Sequence, residues 1–322
     1  MTNSTFTDPL NLTATGIMVV TGVFGLVCNF LIIYIFAKSP SERTSFNLIC
    51  VFRGVSNSII LIWIFFATFI PITFLGFQIP REYQTVVIGI CNSIYKSLQY
   101  SGLLIAVNRC CAMFFPIIYS KVFSFNFTLL ASVLIFSLPV IYVIYQIISF
   151  GIRIHCFLIF DPQQLAWIAD FADECAQFSE GEVHFTEVFL AVLVVVNVAT
   201  FTKIYFFYKS TEMSEEEVMK RVKKNRSLFL QTMFQDVIIL LDILFTLEIS
   251  TWSENRIWTF FCGTVIWEFV HSLDGFIMLM FNDRIIILKR TLFASSESST
   301  VTHQSKMFAA SPRTQNQPSP VE

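Results

Sequence analysis

The sequence predicts an all-α membrane protein, a seven-transmembrane helix bundle with its N-terminus outside and its C-terminus in the cytoplasm. Three observations predict it. First, the 322 residues are 55% hydrophobic and only 14% charged, against about 25% charged in an ordinary soluble domain. Second, seven separate stretches reach the ~20 apolar residues that a spanning helix needs. Third, the basic residues divide unevenly between the connecting loops. With the N-terminus outside, the outer loops hold only Arg81, Arg153 and Arg256. Fifteen of the 21 Lys and Arg fall on the inner side, Arg53 and Arg109 are expected near the inner membrane face, and Lys96 within the membrane. That asymmetry sets the orientation. The composition argues against a cytosolic enzyme and against a disordered chain, which needs low hydrophobicity and high charge. A net charge of −2 argues against nucleic acid as a partner. The eight Cys form no CxxC or Cys/His pattern, so neither a metal site nor a cofactor is expected.

Taken in order, the spans are expected at 17–37, 46–70, 85–115, 127–150, 183–208, 228–249 and 257–281. Residues 1–16 form an outer N-terminus without the basic n-region of a cleaved signal peptide, so the first span is read as an anchor. Asn3 and Asn11 head glycosylation sequons on that side. Pro71 and Pro116 close the second and third spans. Pro139 lies inside the fourth, where neighbouring helices can satisfy the freed carbonyl. The second outer loop contains Cys156 and Cys175, and a bridge between them is the expected disulfide, with Cys91–Cys175 as the alternative. Before the sixth span, Ser214 to Glu217 form a capping box, so a helix is expected from about Glu215 straight into the membrane. Its basic end, with Lys223, Lys224 and Arg226, is read as a positive-inside anchor or as part of a G-protein docking surface. After the seventh span, 282–293 read as a possible membrane-surface helix and 294–322 as a disordered cytoplasmic tail. The Ser-rich cluster at 295–300 in that tail is read as a phosphorylation site that recruits a desensitising, arrestin-type protein.

The strongest local signal is Ala106-Val107-Asn108-Arg109-Cys110-Cys111, followed by Pro116 and Tyr119. An Arg at the inner end of a span is either a snorkelling stop-transfer residue or a conformational latch. Asn-Arg with Pro seven and Tyr ten residues later resembles the Asp-Arg-Tyr segment and following loop of rhodopsin-type receptors. Further residues narrow the resemblance: Gly25 and Asn29, Lys38 to Ser41, Ser45-Phe46, Asn57, the run from Phe115 to Ser124, and Gln235-Asp236. Together they resemble the nematode serpentine receptor class X (Srx) family over about residues 15–285. That resemblance implies a G-protein-coupled chemoreceptor of sensory neurons. Its partners would be a heterotrimeric G protein and a small-molecule or peptide ligand. Its location would be the plasma membrane, by family resemblance at sensory cilia.

Charged and aromatic side chains inside the spans are the remaining candidates. Lys96, Glu268, Asp274 and Trp267 are read as the ligand pocket, with Glu268 or Asp274 as the partner of Lys96. Gln235 and Asp236 are assigned to the inactive-state latch with Arg109. Asn29 and Asn57 are expected to bond between helices. No HExxH, GxSxG or P-loop is present, and the last span has no Lys to carry retinal. The rival to a receptor is a seven-helix ligand-gated channel or transporter, because Lys96 and the acidic residues could line a path. The lack of a repeat or a filter-like segment weighs against it.

Overall fold

A computed structural model describes residues 8–148, 157–170, 188–203, 206 and 216–281, with the side chains of 116, 120, 157, 169, 170 and 216–226 left aside. These residues lie in one compact unit that runs to Asn282. Helix α1 (Pro9–Lys38) starts on a cap, the Asp8 carboxylate accepting from the Leu10 N–H at 2.9 Å. Helix α2 (Ser45–Thr73) is capped by Thr44 and carries a π-helical stretch at Leu61–Phe69. The Thr68 hydroxyl bonds the carbonyl of Trp63, five residues back, at 2.8 Å. That bond suits the wider turn. Helix α3 (Arg81–Phe114) runs for 34 residues, about 50 Å at 1.5 Å per residue. Phe115 breaks it, and Pro116 opens the short helix α4 (Pro116–Val122).

Helix α5 (Phe125–Gln146) contains Pro139 without ending there. A described apolar helix, α6, covers Val188–Lys203. Helix α7 is described over Glu216–Leu247 and is continuous into the apolar segment, while Ser214 and Glu215 of the expected capping box lie outside the described residues. Helix α8 (Arg256–Met280) has a second π-helical stretch at Phe261–Val265. Five of these helices are long and apolar enough to cross a membrane: α1, α2, α5, α8 and α7 over Ser227–Trp252. The expected Cys156–Cys175 bridge, the sequon at Asn3, the surface helix and the tail lie outside the described residues. Cys91 is fully buried with a free thiol.

The sequence reading missed a β-hairpin between α5 and α6. Strands β1 (Phe157–Asp161) and β2 (Ala166–Asp170) pair antiparallel, with Asp161 opposite Ala166. Leu165 closes the turn at φ 55° and its carbonyl accepts from Thr264 at 2.7 Å. The hairpin hangs on α3: Gln84 accepts from the Phe160 N–H at 2.8 Å, and the Thr85 hydroxyl meets both backbone groups of Leu158. Phe160 packs edge-on against Phe69 at 5.1 Å. The hydrophobic effect therefore seats Phe160 and Leu165 in the apolar cluster that also holds Met18, Phe65, Ile88 and Trp267. Arg256 ties this end together by bonding Asp8, Asn11 and the carbonyl of Pro162. Asn11 is consequently buried, 3% exposed. The expectation that its sequon is open to a glycan is corrected for this arrangement: the carboxamide is turned inward by the Arg256 guanidinium.

Candidate functional site

The apolar core is split in two. The first cluster holds residues from the hairpin-facing ends of the helices. The second holds Ile32, Phe46, Ile49, Ile105, Leu228 and Met278. Each contributing helix places polar residues between the two. On α2, Arg53 and Asn57 separate Ile49 from Ile60; on α8, His271 and Asp274 separate Trp267 from Met278. These residues form a buried polar hub.

Its centre is an ion pair. Arg53 and Asp274 are 1% and 2% exposed, and the guanidinium grips the carboxylate with both Nη2 at 2.7 Å and Nε at 3.2 Å. Nη1 reaches over to the carbonyl of Leu98 on α3 at 3.0 Å. Asp274 also accepts from Asn57 at 2.7 Å and from Gln235 on α7 at 2.7 Å. Asn57 continues to Asn29 on α1 at 3.3 Å and to His271 Nδ1 at 2.9 Å. A buried charge pair is tolerated only when the remaining donors and lone pairs are satisfied, and here every nitrogen of Arg53 has a partner. Asp236 faces Arg53 across Gly102: a Cβ placed on that glycine would sit 3.3 Å from Asp236 Oδ1 and 3.5 Å from Arg53 Nη1. Asp236 is held from α6 by Asn197 at 2.7 Å. The hub therefore joins α1, α2, α3, α6, α7 and α8.

The packing around it depends on close backbone approach. A Cβ on Gly25 of α1 would come within 2.7 Å of the Ser272 Cα, and one on Gly275 within 2.7 Å of the Asn29 side chain. Small residues at helix crossings allow this distance.

Three expectations are corrected here. Arg53 does not sit at the inner membrane face; it is the core of the hub. Asp274 is not the partner of Lys96, because Arg53 occupies it. Glu268 is not that partner either: it is fully buried and accepts from Thr21 on α1 at 2.7 Å, with Oε1 directed at Gly22. Trp267 packs edge-on with Phe65 at 5.6 Å and against His271 at 6.0 Å. So the four residues read as one ligand pocket are not assembled as one. Trp267, Glu268 and Asp274 face the interior, whereas Lys96 lines a cleft against α5. Its neighbour Tyr95 points inward instead, donating to Asp242 at 2.6 Å. The spacing of Arg53 and Asn57, four apart on one helix face, and of His271 and Asp274, three apart, was a signal for the hub that sequence reading passed over.

The C-terminal end of α3 is arranged differently. The Arg109 guanidinium lies over the Phe46 ring of α2, 3.9 Å from its centroid, a cation–π contact. Its Nε and Nη2 are buried with no hydrogen-bond partner among the described residues. Tyr119 of α4 donates to Asn108 at 3.4 Å, and Asn108 Nδ2 is likewise unpartnered. Cys110 beside them is a half-buried thiol. Asn108 and Tyr119 thus meet in space, with Arg109 next to Asn108 in the chain and packed on Phe46. Gln235 and Asp236 do not join it; they belong to the hub, about 10 Å away along α3, since Gly102 precedes Arg109 by seven residues.

The arrangement defines a helical membrane protein whose interior joins many helices through one polar layer. The chain matches the profile of the family described as serpentine type 7TM GPCR chemoreceptor Srx over residues 19–282, and it belongs to that family. It is also similar to serpentine receptor class X 45 of Caenorhabditis elegans, at 24% identity over 318 aligned positions that cover 88% of this chain and 82% of the relative. The family is one of multi-pass membrane receptors, not of enzymes.

Proposed function

We propose that this chain is a G-protein-coupled chemoreceptor of the plasma membrane, with seven spans, its N-terminus outside and its C-terminus in the cytoplasm. In that bundle α3 and α6 are spans beside the five long apolar helices. The observation that carries the reading is the inner end of α3. Arg109 is half-buried, with two guanidinium nitrogens buried and unpartnered among the described residues, beside an Asn108–Tyr119 contact. A cation with buried, unused donors is a binding group waiting for acceptors. Carbonyl or carboxylate groups of a docking heterotrimeric G protein are the acceptors proposed, with Lys223, Lys224 and Arg226 at the start of α7 as the surrounding basic surface.

Signalling then follows from a shift between two helix arrangements. The hub couples α7 to α2 and α8 through Gln235 and Asp274. A ligand that favours displacement of α7 must break the Gln235–Asp274 bond and move Asp236 relative to Arg53. Because Asp236 and Asp274 approach the same guanidinium from two helices, Arg53 has an alternative partner when α7 moves. The apolar clusters on either side of the hub support a receptor over a channel, since a continuous polar path would have to cross both.

The test is a ligand-panel screen of the full chain in heterologous cells with a G-protein reporter, repeated on Arg109→Ala. The expected result is ligand-dependent signal from the wild type. The same ligands should leave Arg109→Ala silent or permanently active at matched surface expression. Equal coupling by both proteins would overturn the role of Arg109. A ligand-gated current that persists with G proteins blocked would overturn the receptor reading.

A further inference from the structure

Two buried side chains beside the hub each keep an unused acceptor. Asp242 on α7 is 3% exposed and His271 on α8 is fully buried. One Asp242 oxygen accepts from the Tyr95 hydroxyl of α3 at 2.6 Å. The other, Oδ1, has no hydrogen-bond partner among the described residues. On the imidazole, Nδ1 meets the Asn57 oxygen at 2.9 Å, and Nε2 is likewise without a partner. The tautomer follows from Asn57. Its two N–H groups go to Asp274 and Asn29, so its oxygen accepts and His271 Nδ1 donates. Nε2 of the neutral ring is then a bare lone pair. Tyr95 connects the two groups: its hydroxyl holds Asp242, and its ring meets the imidazole edge-on at 5.7 Å. Trp267 packs edge-on against the same imidazole at 6.0 Å.

We propose that these two acceptors receive a protonated primary or secondary amine, whose N–H groups donate to Asp242 Oδ1 and His271 Nε2. Buried polar atoms are nearly always bonded, and two unfilled acceptors call for a ligand that brings two donors. A water molecule brings two donors as well, but no charge. The described bond to Asp242 comes from a neutral hydroxyl, while Arg53, the cation of the neighbouring hub, is engaged by Asp274. A carboxylate buried without a counter-charge is costly, so a cationic donor fits better than water. A hard metal cation prefers oxygen ligands and would leave Nε2 unfilled, whereas the rings of Tyr95 and Trp267 suit an ammonium. Tyr95 and Trp267 also belong to the apolar cluster that the hairpin seals, so the amine enters when Phe160 and Leu165 lift from that cluster. Its effect on the helices is direct. Asp242 lies seven residues, about 10 Å, along α7 from Gln235, and His271 is bonded through Asn57 to Asp274. An amine that draws Asp242 towards His271 pulls α7 and α8 together on one side of the hub and so biases the Gln235–Asp274 bond. This assigns a ligand class to the receptor reading above, and its signalling consequence rests on that reading; binding is measured without any G protein.

The experiment follows the melting temperature of the purified full chain in phosphatidylcholine nanodiscs at neutral pH. The probes are the hydrochlorides of 2-phenylethylamine, 3-methylbutylamine and cyclohexylmethylamine, each titrated to millimolar concentration at fixed ionic strength. At least one amine should raise the melting temperature in a saturable way. The matched alcohol and the N,N,N-trimethylammonium analogue should bind about tenfold more weakly, the size of one charge-assisted hydrogen bond. Asp242→Asn should melt no lower than the wild type without amine, because it removes an uncompensated buried charge, yet lose about tenfold in amine affinity. His271→Asn keeps a donor for Asn57 and removes Nε2, and should bind the amine about threefold more weakly. Glu268→Gln, on the α1 side of α8, should keep full affinity. No shift with any amine, or an equal shift with the alcohol or with sodium chloride alone, overturns the proposal. So does an Asp242→Asn that melts lower while binding the amine normally, since that marks a purely structural carboxylate. A His271→Asn of unchanged affinity overturns the two-acceptor geometry. A loss in Glu268→Gln as large as in Asp242→Asn moves the site to the α1–α8 interface and overturns the assignment. A chain that couples to no G protein yet binds the amine as expected keeps the site and loses the receptor reading.

Discussion

Two arginines separate the working parts of this molecule, Arg53 fully buried and Arg109 half-buried. Arg53 has a carboxylate, a carbonyl and a place between two apolar layers; each of its nitrogens is bonded. Arg109 has an aromatic face beneath it and two nitrogens with nothing to bond. Both carry the same charge on the same side-chain chemistry. The first is a fastener, since removing its partner strands a buried ion. The second is the proposed docking site, since two of its nitrogens are under-bonded and would gain by meeting a partner. The same residue type therefore holds the bundle at one level and leaves it receptive at another.

The largest expected effect breaks the fastener. Asp274→Ala should destabilise the protein by about 3–5 kcal/mol by leaving the Arg53 charge buried and unpaired. The measurement is the melting temperature of detergent-solubilised protein with surface expression alongside. Replacing both partners, Arg53→Leu with Asp274→Leu, should recover most of that loss, and a double variant as unstable as the single would contradict the account of a buried pair. At the other arginine the sign differs. Arg109→Ala should leave the melting temperature unchanged or raise it, because it removes unsatisfied donors, even as coupling is lost. A fall comparable to that of Asp274→Ala would erase the distinction.

Gly25→Ala tests the packing that the hub requires. The Ser272 backbone 2.7 Å away cannot move without α8, so a cost of about 1–3 kcal/mol is expected, read from the same melting curve. Tyr119→Phe is smaller. It removes the 3.4 Å bond to Asn108, a loss of about 1 kcal/mol or less, and should appear as altered basal signalling with normal stability.

The smallest effect is at the outer rim, where the hydrogen bond from Arg256 holds the Asp8 carboxyl below its ordinary value of 3.8. For a depressed carboxylate the stabilisation is complete above the unfolded value and is lost as pH falls through the folded one. The Arg256 clasp should therefore be intact at neutral pH and loosen only below about pH 4. Hydrogen exchange of the 157–170 hairpin should rise there and not between pH 5 and 8.

Much of the architecture was legible because the membrane imposes it. A bilayer-spanning helix must satisfy its own backbone, so apolar length alone reports it, and the starts of α2 and α5 lie within two residues of the expected bounds. The Asn108–Arg109–Tyr119 grouping was legible for a related reason: charge at a span end is rare enough to stand out. The hub was not. Arg53 reads as an interfacial residue when only its distance from the span end is counted, and nothing in a single helix says that Asp274 lies opposite. The hairpin escaped because its pairing depends on α3, where Gln84 and Thr85 supply the bonds.

The sequence by itself determined that the chain is membrane-embedded, where its long apolar helices run, and which few charges had to be explained. Those follow from transfer energies, which act residue by residue. Tertiary structure decided the partners. It joined Asp274 to Arg53 rather than to Lys96, turned Asn11 inward, and set Lys96 in a cleft between α3 and α5. A buried charge is neutralised by whichever opposite group the crossing of two helices brings within about 3 Å, and that crossing is set by glycines such as Gly25 and Gly275, whose meaning appears only when the opposing backbone is in place.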